Sequence, residues 1–300
     1  MPSASHTPDV DAHRVNAVLT WFETAGRDLP WRGGRATPWG VLVSEVMLQQ
    51  TPVARVEPAW RAWMARWPSP AALSSATRAD AVRAWGSLGY PRRAQRLWEC
   101  AAAIVDRHHG EVPSDEVDLL ALPGVGAYTA AAVTAFAHGR RSVVLDTNVR
   151  RVLARAWTGV EGPRTHLALA ERRLADRVAP DDAGRAVCWA VASMELGALV
   201  CTARSPRCAE CPLVGTCAWV AAGRPESPEP VRRAHPWHGT DRQVRGRVLA
   251  LLRASEHAVN VTGHASLEDV EPGQLDRCLE SLVADGLVTA TDASRGAYRL

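Results

Sequence analysis

Four of the seven cysteines lie within one stretch of 17 residues, in the pattern Cys201-x6-Cys208-x2-Cys211-x5-Cys217. Four thiolates on one loop can enclose an iron–sulfur cluster. Zinc also accepts four cysteines, although structural zinc sites more often show two C-x2-C pairs, and this loop has one. The spacing therefore predicts metal ligation rather than disulfide bonds. The other three cysteines stand alone and are expected to be small core residues: Cys100, Cys188 and Cys278.

Two carboxylates occupy positions that suit acid–base chemistry. Glu45 lies in an otherwise apolar helical run, where an ionised carboxylate loses hydration and the protonated, proton-donating form is favoured. A glutamate on the solvent side of an amphipathic helix is the alternative, and it is the commoner case. Asp146 precedes a second helical run and would ordinarily be a helix N-cap. Paired with the first carboxylate, it could instead stabilise a cationic sugar, as in glycosidases.

A glycine-rich turn offers a site for an anion. The run from Leu122 to Gly126 reads Leu-Pro-Gly-Val-Gly and is followed at once by a helical segment. Gly124 and Gly126 allow positive φ angles and a close approach of the backbone to a ligand. Their N–H groups, with the N-terminus of the next helix, could bind a DNA phosphate. A Pro-Gly helix break without any ligand explains the run equally well.

The composition permits nucleic-acid binding without requiring it. Of 300 residues, 47% are hydrophobic and 22% charged, as in an ordinary globular protein, and the formal net charge is +3. All 35 basic residues are arginines, so no side chain can form a lysine Schiff base. The first ten residues lack the order of a secretory signal, and no run of 18 apolar residues is present.

The elements that must position these residues are helical. Apolar residues recur at three- and four-residue spacing over residues 11–139 and again over 148–199, with Pro/Gly breaks between helices. Residues 221–240 contain several prolines and charges and are typical of a linker. Two amphipathic helices, 242–253 and 272–285, are then predicted. Two β-prone runs follow at 287–289 and 297–300, which together indicate a small winged-helix-like module.

Taken in this order, the residues resemble the helix–hairpin–helix glycosylase superfamily, with the iron–sulfur loop of its endonuclease III and MutY branches. The resemblance covers residues 10–220. Glu45 within Ser-Glu-Val-Met-Leu-Gln-Gln-Thr is the hallmark of the MutY-type adenine glycosylases. Three further segments are similar to that branch: 29–32, 86–90 and 149–155.

The resemblance implies an all-α, two-lobed fold and an enzyme that removes adenine mispaired with 8-oxoguanine or guanine in duplex DNA. The adenine leaves the base stack before its glycosidic bond is cleaved. Glu45 would protonate N7 of the base and then help to activate water, and Asp146 would stabilise the sugar cation. Tyr128 and Asn148 would lie beside that aspartate.

The resemblance also assigns the binding residues. Three residues would line the adenine pocket: Leu29, Trp31 and Arg32. Gln50 and Tyr90 would wedge into the duplex, with Thr51 and Leu88 nearby, and Gly124 and Gly126 would contact DNA. The four clustered cysteines would hold a [4Fe–4S] cluster: Cys201, Cys208, Cys211 and Cys217.

The resemblance predicts the domain organisation as well. The predicted parts are an N-terminal segment packing with the iron–sulfur lobe (1–27), a six-helix barrel lobe (28–137), the iron–sulfur lobe (138–220), a linker (221–240) and the C-terminal module (241–300). We expect a monomeric, cytoplasmic and nucleoid-associated protein that is neither secreted nor bound to a membrane.

Tyr128 predicts the outcome of the reaction. In the bifunctional endonuclease III branch this position carries the Schiff-base lysine, and this chain has no lysine at all. The expected product is therefore an abasic site and an uncut strand.

The sequence departs from the family pattern at three places. Many relatives carry glycine where this chain has Thr147, and Asn followed by Gln or Glu where it has Ala190 and Val191. The residue that reads the adenine edge is thus left open. Only about 60 residues follow the linker, so the larger Nudix-like domain that inspects 8-oxoguanine in many relatives is expected to be missing.

Two rival functions remain. A mismatch thymine or uracil glycosylase of the same superfamily would share Tyr128 and Asp146 but is not expected to carry Glu45 in this motif. A non-catalytic DNA-binding or redox-sensing regulator would use the cluster and the C-terminal module, and it predicts binding without base release.

Overall fold

The computed structural model describes residues 8–226, 238–292 and 295–300. These residues are mostly helical, which confirms the all-α expectation, and they fall into two compact units. The first unit comprises 8–41, 114–120 and 126–226, and the second comprises 42–113, 121–125 and the described residues after 237. The predicted lobe limits at 27/28 and 137/138 differ from these units and stay a prediction.

Helices account for most of the chain up to residue 221. The first six are α1 (Pro8–Ala25), α2 (Pro38–Leu48), α3 (Val53–Arg66), α4 (Pro70–Ser74), α5 (Arg78–Trp85) and α6 (Arg92–His108). The next six are α7 (Glu116–Leu120), α8 (Ala127–Phe136), α9 (Thr147–Leu153), α10 (Leu169–Val178), α11 (Ala183–Leu199) and α12 (Ala218–Ala221). A π-helical turn, Ala154–Thr158, continues α9. None of the helices in the described ranges is both long and apolar enough to cross a membrane.

The core of the first unit forms where α1, α9 and α11 pack together. Val18, Val152 and Leu196 are almost completely buried in it. Trp157 and Trp189 meet edge to face, with their ring centroids 6.0 Å apart. Complete burial of one aliphatic side chain such as Val18 or Leu196 contributes about 1.5–3 kcal/mol to the free energy of folding. This core fixes the N-terminus of α9, where Asp146 lies.

Tryptophans organise the helical part of the second unit. Trp63 packs edge to face on Trp85, with ring centroids 5.6 Å apart. The Trp85 indole N–H donates to the carbonyl of Gly89 at 2.9 Å, which ties the core to the loop after α5. Helix α5 begins at a capping box in which Thr77 and Asp80 satisfy each other's backbone N–H groups.

The C-terminal module has the element order of a winged-helix fold. It comprises α13 (Asp241–Arg253), β1 (Val259–Asn260), a 3₁₀ turn, α14 (Pro272–Ala284), β2 (Thr289–Asp292) and β3 (Ala297–Arg299). The antiparallel sheet has the order β1-β3-β2, with Tyr298 opposite both Val259 and Ala290. Both predicted helices are confirmed to within a residue. Of the predicted run at 287–289, only Thr289 lies in a strand, β2, and the two residues before it, Leu287 and Val288, are buried in the module core.

The module packs against helices of its own unit. Arg83 donates to the carbonyl of Ser255 at 3.1 Å, and the Gln95 amide donates to the carbonyl of Gly286 at 2.7 Å. The predicted linker, 221–240, lies largely outside the described residues.

Candidate active site and cluster loop

Glu45 is a buried carboxylate on α2. It is 5% exposed, and its neighbours Leu42, Val46 and Met47 are buried as well. The helix forms here because Pro38 supplies a pre-set φ angle at its first position and the residues after it are apolar. The solvent-facing alternative for Glu45 is therefore wrong.

Asp146 is the N-cap of α9, and its carboxylate is held at both oxygens. One oxygen accepts from the backbone N–H of Val149 and the other from the side-chain amide of Asn148, each at 2.7 Å. Burial raises the pKa of Asp146, and these hydrogen bonds and the nearby Arg151 oppose that rise only in part. Helix capping thus describes the residue correctly, and it also fixes the direction of the carboxylate.

A chain of hydrogen bonds runs from Asp146 to the cysteine loop. The amide oxygen of Asn148 accepts from Arg151 at 2.7 Å, and Arg151 also donates to the carbonyl of Cys201 at 2.6 Å. Gly197 makes room for the Asn148 side chain, because a Cβ on this glycine would lie 2.7 Å from the Cβ of Asn148. The predicted pair of Asp146 and Asn148 is thus in direct contact within the first unit.

Tyr128 lies in the first turn of α8, half-buried against an apolar cluster. That cluster contains Ala131, Val144 and Ala190. Ala190, where relatives often carry a polar residue, is 5% exposed. In this chain that position contributes to packing and offers no side-chain hydrogen bond.

The predicted pocket residues follow α1 in the first unit. Leu29 and Trp31 are buried, and Arg32 donates to the carboxylate of Glu195 at 2.7 Å. Arg27 forms a second ion pair with the same carboxylate. Burial alone would raise the pKa of Glu195, but the hydrogen bonds from Arg27 and Arg32 outweigh it and hold that pKa below its usual value.

The two predicted wedge residues share an unusual backbone conformation. Gln50 and Tyr90 have φ angles of 56° and 49°, in the left-handed region that non-glycine residues rarely adopt, and both are exposed. Such strain persists only where the surroundings hold it. Thr51 and Leu88, predicted nearby, join the two loops through a 3.2 Å hydrogen bond from the Thr51 hydroxyl to the Leu88 carbonyl.

Arg93 holds these two loops together. Its guanidinium donates to carbonyls at the end of α2, those of Val46, Met47 and Gln49. It also donates to the Thr51 hydroxyl and to the carbonyls of Leu88 and Gly89. Burial lowers the pKa of Arg93 to about 10, which leaves it charged at neutral pH.

In the glycine turn, the expected positive φ angle is present at Gly124 but not at Gly126, whose φ angle is −97°. Gly124 has a φ angle of 78°, and a Cβ there would lie 2.7 Å from the Cβ of Arg96. Gly126 is the N-cap of α8 and carries no side chain that could cap the helix. The turn therefore presents the first backbone N–H groups of α8 without a capping side chain.

The four clustered cysteines line one cavity whose other walls are mainly apolar. Leu196, Leu213 and Trp219 are among those walls. In the described part of the chain, no group of three or more His, Cys, Asp or Glu side chains is arranged to hold a metal ion, so the case for a cluster rests on the cysteines and their cavity. A thiolate set around an apolar cavity fits a multi-iron cluster better than one zinc ion.

Arginines and burial define the polarity of this cavity. Arg155 lies over the Trp219 ring, 4.6 Å from its centroid, and donates to the Cys201 sulfur at 3.5 Å. Burial raises the pKa of the Cys211 thiol to about 11, so binding of a cluster must release protons. Arg207 of the same loop forms an ion pair with Glu210 at 3.0 Å, so its charge is partly neutralised.

The structure does not place every predicted residue in one unit. Asp146, Asn148 and Tyr128 belong to the first unit together with the pocket residues. Glu45 belongs to the second unit, as do the two wedge residues and their predicted neighbours, Thr51 and Leu88. Cys188, expected in the core, is exposed, because it lies on the solvent face of α11. Cys100 and Cys278 are buried as expected.

Sequence reasoning missed four residues that hold the site: Arg27, Arg93, Arg151 and Glu195. Only Arg151 had a usable signal, since it follows Asn148 by one helical turn. The others bind partners that are distant in the chain or are backbone carbonyls, and neither leaves a spacing pattern.

This chain is similar to known protein families, to individual proteins and to a solved structure. The profile of the HhH-GPD superfamily base excision DNA repair proteins matches residues 43–175, and that of the iron–sulfur binding domain of endonuclease III matches 201–217. An adenine DNA glycosylase of Mycobacterium tuberculosis (strain ATCC 25618 / H37Rv) is 51% identical over 283 residues, 91% of this chain and 90% of that protein. One of Mycolicibacterium smegmatis is 50% identical over 284 residues, 93% of each. The solved structure of a thermostable thymine-DNA glycosylase matches with a TM-score of 0.65 at 27% identity, over 71% of this chain and 98% of that one.

Proposed function

Because this chain belongs to the adenine DNA glycosylases of base excision repair, we propose that it removes adenine mispaired with 8-oxoguanine or guanine in duplex DNA. As an enzyme it is a hydrolytic N-glycosylase of the helix–hairpin–helix superfamily. The iron–sulfur domain match confirms the predicted [4Fe–4S] cofactor. The single observation that carries the proposed chemistry is the burial of Glu45 within the apolar α2.

Glu45 is the proposed proton donor. Burial disfavours the ionised form of a carboxylate and so favours a group that can give a proton near neutral pH. Protonation at N7 of an extrahelical adenine draws electrons from the glycosidic bond and makes the base a neutral leaving group. The same group, once ionised, accepts a proton from the attacking water. Positioned acid catalysis of this kind contributes roughly 10²–10⁴-fold to the rate.

Asp146 is the proposed stabiliser of the sugar. Loss of the base leaves positive charge on the sugar ring, and a fixed carboxylate nearby lowers the energy of that state. The hydrogen bonds from Val149 and Asn148 set the direction of this carboxylate before substrate arrives. Burial raises the pKa of Asp146, and the nearby Arg151 guanidinium opposes that rise only in part; the cationic sugar would favour the ionised carboxylate further.

The reaction is proposed to stop at the abasic site. Tyr128 is a neutral residue packed on an apolar cluster, and the chain contains no lysine that could attack the sugar carbon. Strand cutting through a side-chain Schiff base is therefore excluded. This feature distinguishes the protein from lyases of the superfamily.

DNA contact is proposed at the glycine turn and the strained loops. The N–H groups at the start of α8 suit a phosphate. Gln50 and Tyr90 are exposed, and Arg93 binds the carbonyls of the residues just before them, Gln49 and Gly89, which suits a wedge that enters a base stack. Cys201, Cys208, Cys211 and Cys217 would hold the cluster, which supplies a rigid fold to the loop and is assigned no step in hydrolysis.

A glycosylase assay tests the proposal. Duplexes with A opposite 8-oxoguanine, A opposite G and T opposite G are incubated with the enzyme, and the products are separated before and after hot alkali. We expect adenine release from the first two duplexes, strand breaks only after alkali, and retained binding without release for Glu45→Gln. Release of thymine in place of adenine, or unchanged release by Glu45→Gln, would overturn it.

A further inference from the structure

The C-terminal module holds the loop that carries Tyr90. Arg253 of α13 donates to the carbonyl of Gly86 at the start of this loop. Arg242, in the first turn of the same helix, lies over the Tyr90 ring at the end of the loop, with its Cζ 4.7 Å from the ring centroid. One helix of the module thus contacts both ends of the loop from 86 to 90.

Tyr90 needs such support. Its φ angle of 49° is unfavourable for a residue with a Cβ, and its side chain is 41% exposed. Arg93 supplies a second guanidinium, 5.6 Å from the ring centroid. A cation near an aromatic face favours particular ring orientations over free rotation in water.

The charge of the module argues against a general phosphate-binding role. Residues 241–300 contain seven arginines and nine carboxylates. Arg245 and Arg247 of α13 form ion pairs with Asp285 and Asp269, respectively. Helix α14, which corresponds to the recognition helix of a winged-helix protein, exposes the acidic residues Asp276 and Glu280. The module is therefore suited to influence DNA binding at one position of the duplex rather than to bind a series of backbone phosphates.

We propose that Arg242 is a positioning residue that orients Tyr90 and thereby sets the discrimination between 8-oxoguanine and guanine opposite the target adenine. This inference rests on the proposed role of Tyr90 as a wedge. An oriented ring loses less conformational freedom when it enters the base stack than a freely rotating one. The two mispairs differ in shape and stacking around the purine opposite adenine, and a fixed wedge responds to that difference.

Arginine variants of the module test the inference. Single-turnover rates are measured on duplexes with A opposite 8-oxoguanine and A opposite G for wild type, Arg242→Ala, Arg242→Lys and Arg277→Ala. Arg277 is the matched control, because it is an exposed arginine of the same module that pairs with Asp241. We expect Arg242→Ala to lower the ratio of the two rates by about three- to tenfold, Arg242→Lys to restore part of it, and Arg277→Ala to leave it unchanged.

A double-mutant cycle separates positioning from phosphate contact. With Tyr90→Ala as the background, Arg242→Ala should have no further effect on the ratio. A phosphate contact would instead lower both rates together and reduce the salt dependence of binding by about one charge in either background. That result, or equal ratios for the variants at Arg242 and Arg277, would overturn the inference.

Binding measurements keep this test independent of the proposed chemistry. The dissociation constants of the same variants are measured on duplexes that carry a non-hydrolysable 2′-fluoro-adenosine. If wild type releases no adenine, the proposed function fails, yet the binding ratio between the 8-oxoguanine and guanine duplexes still decides the role of Arg242. A ratio that Arg242→Ala leaves unchanged contradicts that role.

Discussion

The first unit contains one completely buried and one partly buried carboxylate, Glu195 and Asp146, whose surroundings have opposite effects. Glu195 is completely buried, and the two arginines that bind it hold its pKa below the usual value. Asp146 is bound by an amide and a backbone N–H, which are neutral, and burial raises its pKa. The ion pairs with two arginines compensate Glu195 for its loss of hydration, so this carboxylate serves as a structural anion. The neutral donors around Asp146 compensate its loss of hydration only in part.

This difference corresponds to the two proposed tasks. A carboxylate already neutralised by two guanidinium groups has little attraction left for a cationic sugar. A carboxylate held only by neutral donors retains its charge for a cation that arrives later. Glu195 instead fixes Arg32, and with it the loop that carries Leu29 and Trp31.

Removing the charge of Glu195 should give the largest loss of stability. Glu195→Gln leaves the Arg27 and Arg32 guanidinium groups facing a neutral amide in a buried site. We expect a loss of roughly 3 kcal/mol, at the low end for a broken buried ion pair because water reaches Arg27. Urea unfolding at pH 7 measures it. Glu23→Gln, an exposed change on α1, is the control and should lie within about 0.5 kcal/mol of wild type.

The Asp146 region can be distorted without changing any charge. Gly197→Ala places a Cβ 2.7 Å from the Cβ of Asn148, so the asparagine must move and its hydrogen bond to Asp146 must weaken. We expect a loss of about 1–3 kcal/mol and a fall in adenine release of at least tenfold. Gly184→Ala on the same helix meets only an ordinary contact of 3.4 Å and should be neutral or slightly stabilising. Equal activity in both variants would contradict a positioning role for Asn148.

Sequence reasoning located the helices and the principal candidate residues for a physical reason. Spacing of apolar residues, caps and glycine turns depend on local geometry, and all of them are visible in one chain. The partners of Glu195 and Arg93 are not, because they come from distant segments and include backbone carbonyls. The exposure of Cys188 was misjudged for a related reason, since α11 is apolar on most of its surface and its solvent side is set by packing.

Neutralising Asp146 should separate activity from stability. Asp146→Asn keeps an oxygen that can cap α9, although its amide then faces the amide of Asn148 and one hydrogen bond is lost. That loss of about 1 kcal/mol is offset by removal of a buried charge, so the stability should change by less than about 1 kcal/mol. Adenine release should fall by at least 100-fold, as measured by single-turnover assay. A large loss of stability would mean that Asp146 serves mainly as a structural anion, like Glu195.

The smallest effect, and the sharpest test of the comparison, is the pH dependence of these two variants. The folded-state pKa of Glu195 is depressed, so its contribution is complete above the unfolded value of about 4.3. The loss of stability in Glu195→Gln should therefore stay constant between pH 7 and pH 5.

The folded-state pKa of Asp146 is raised, so stability from its protonated form is lost as the pH rises through that value. Relative to wild type, Asp146→Asn should then become less stable as the pH falls from 7 to 5, because the folded wild type gains a proton that the variant cannot bind. Urea midpoints at pH 5, 6 and 7 measure both differences. Parallel curves for the two variants would show that neutral and cationic donors bind these carboxylates equivalently, and the distinction between their roles would fail.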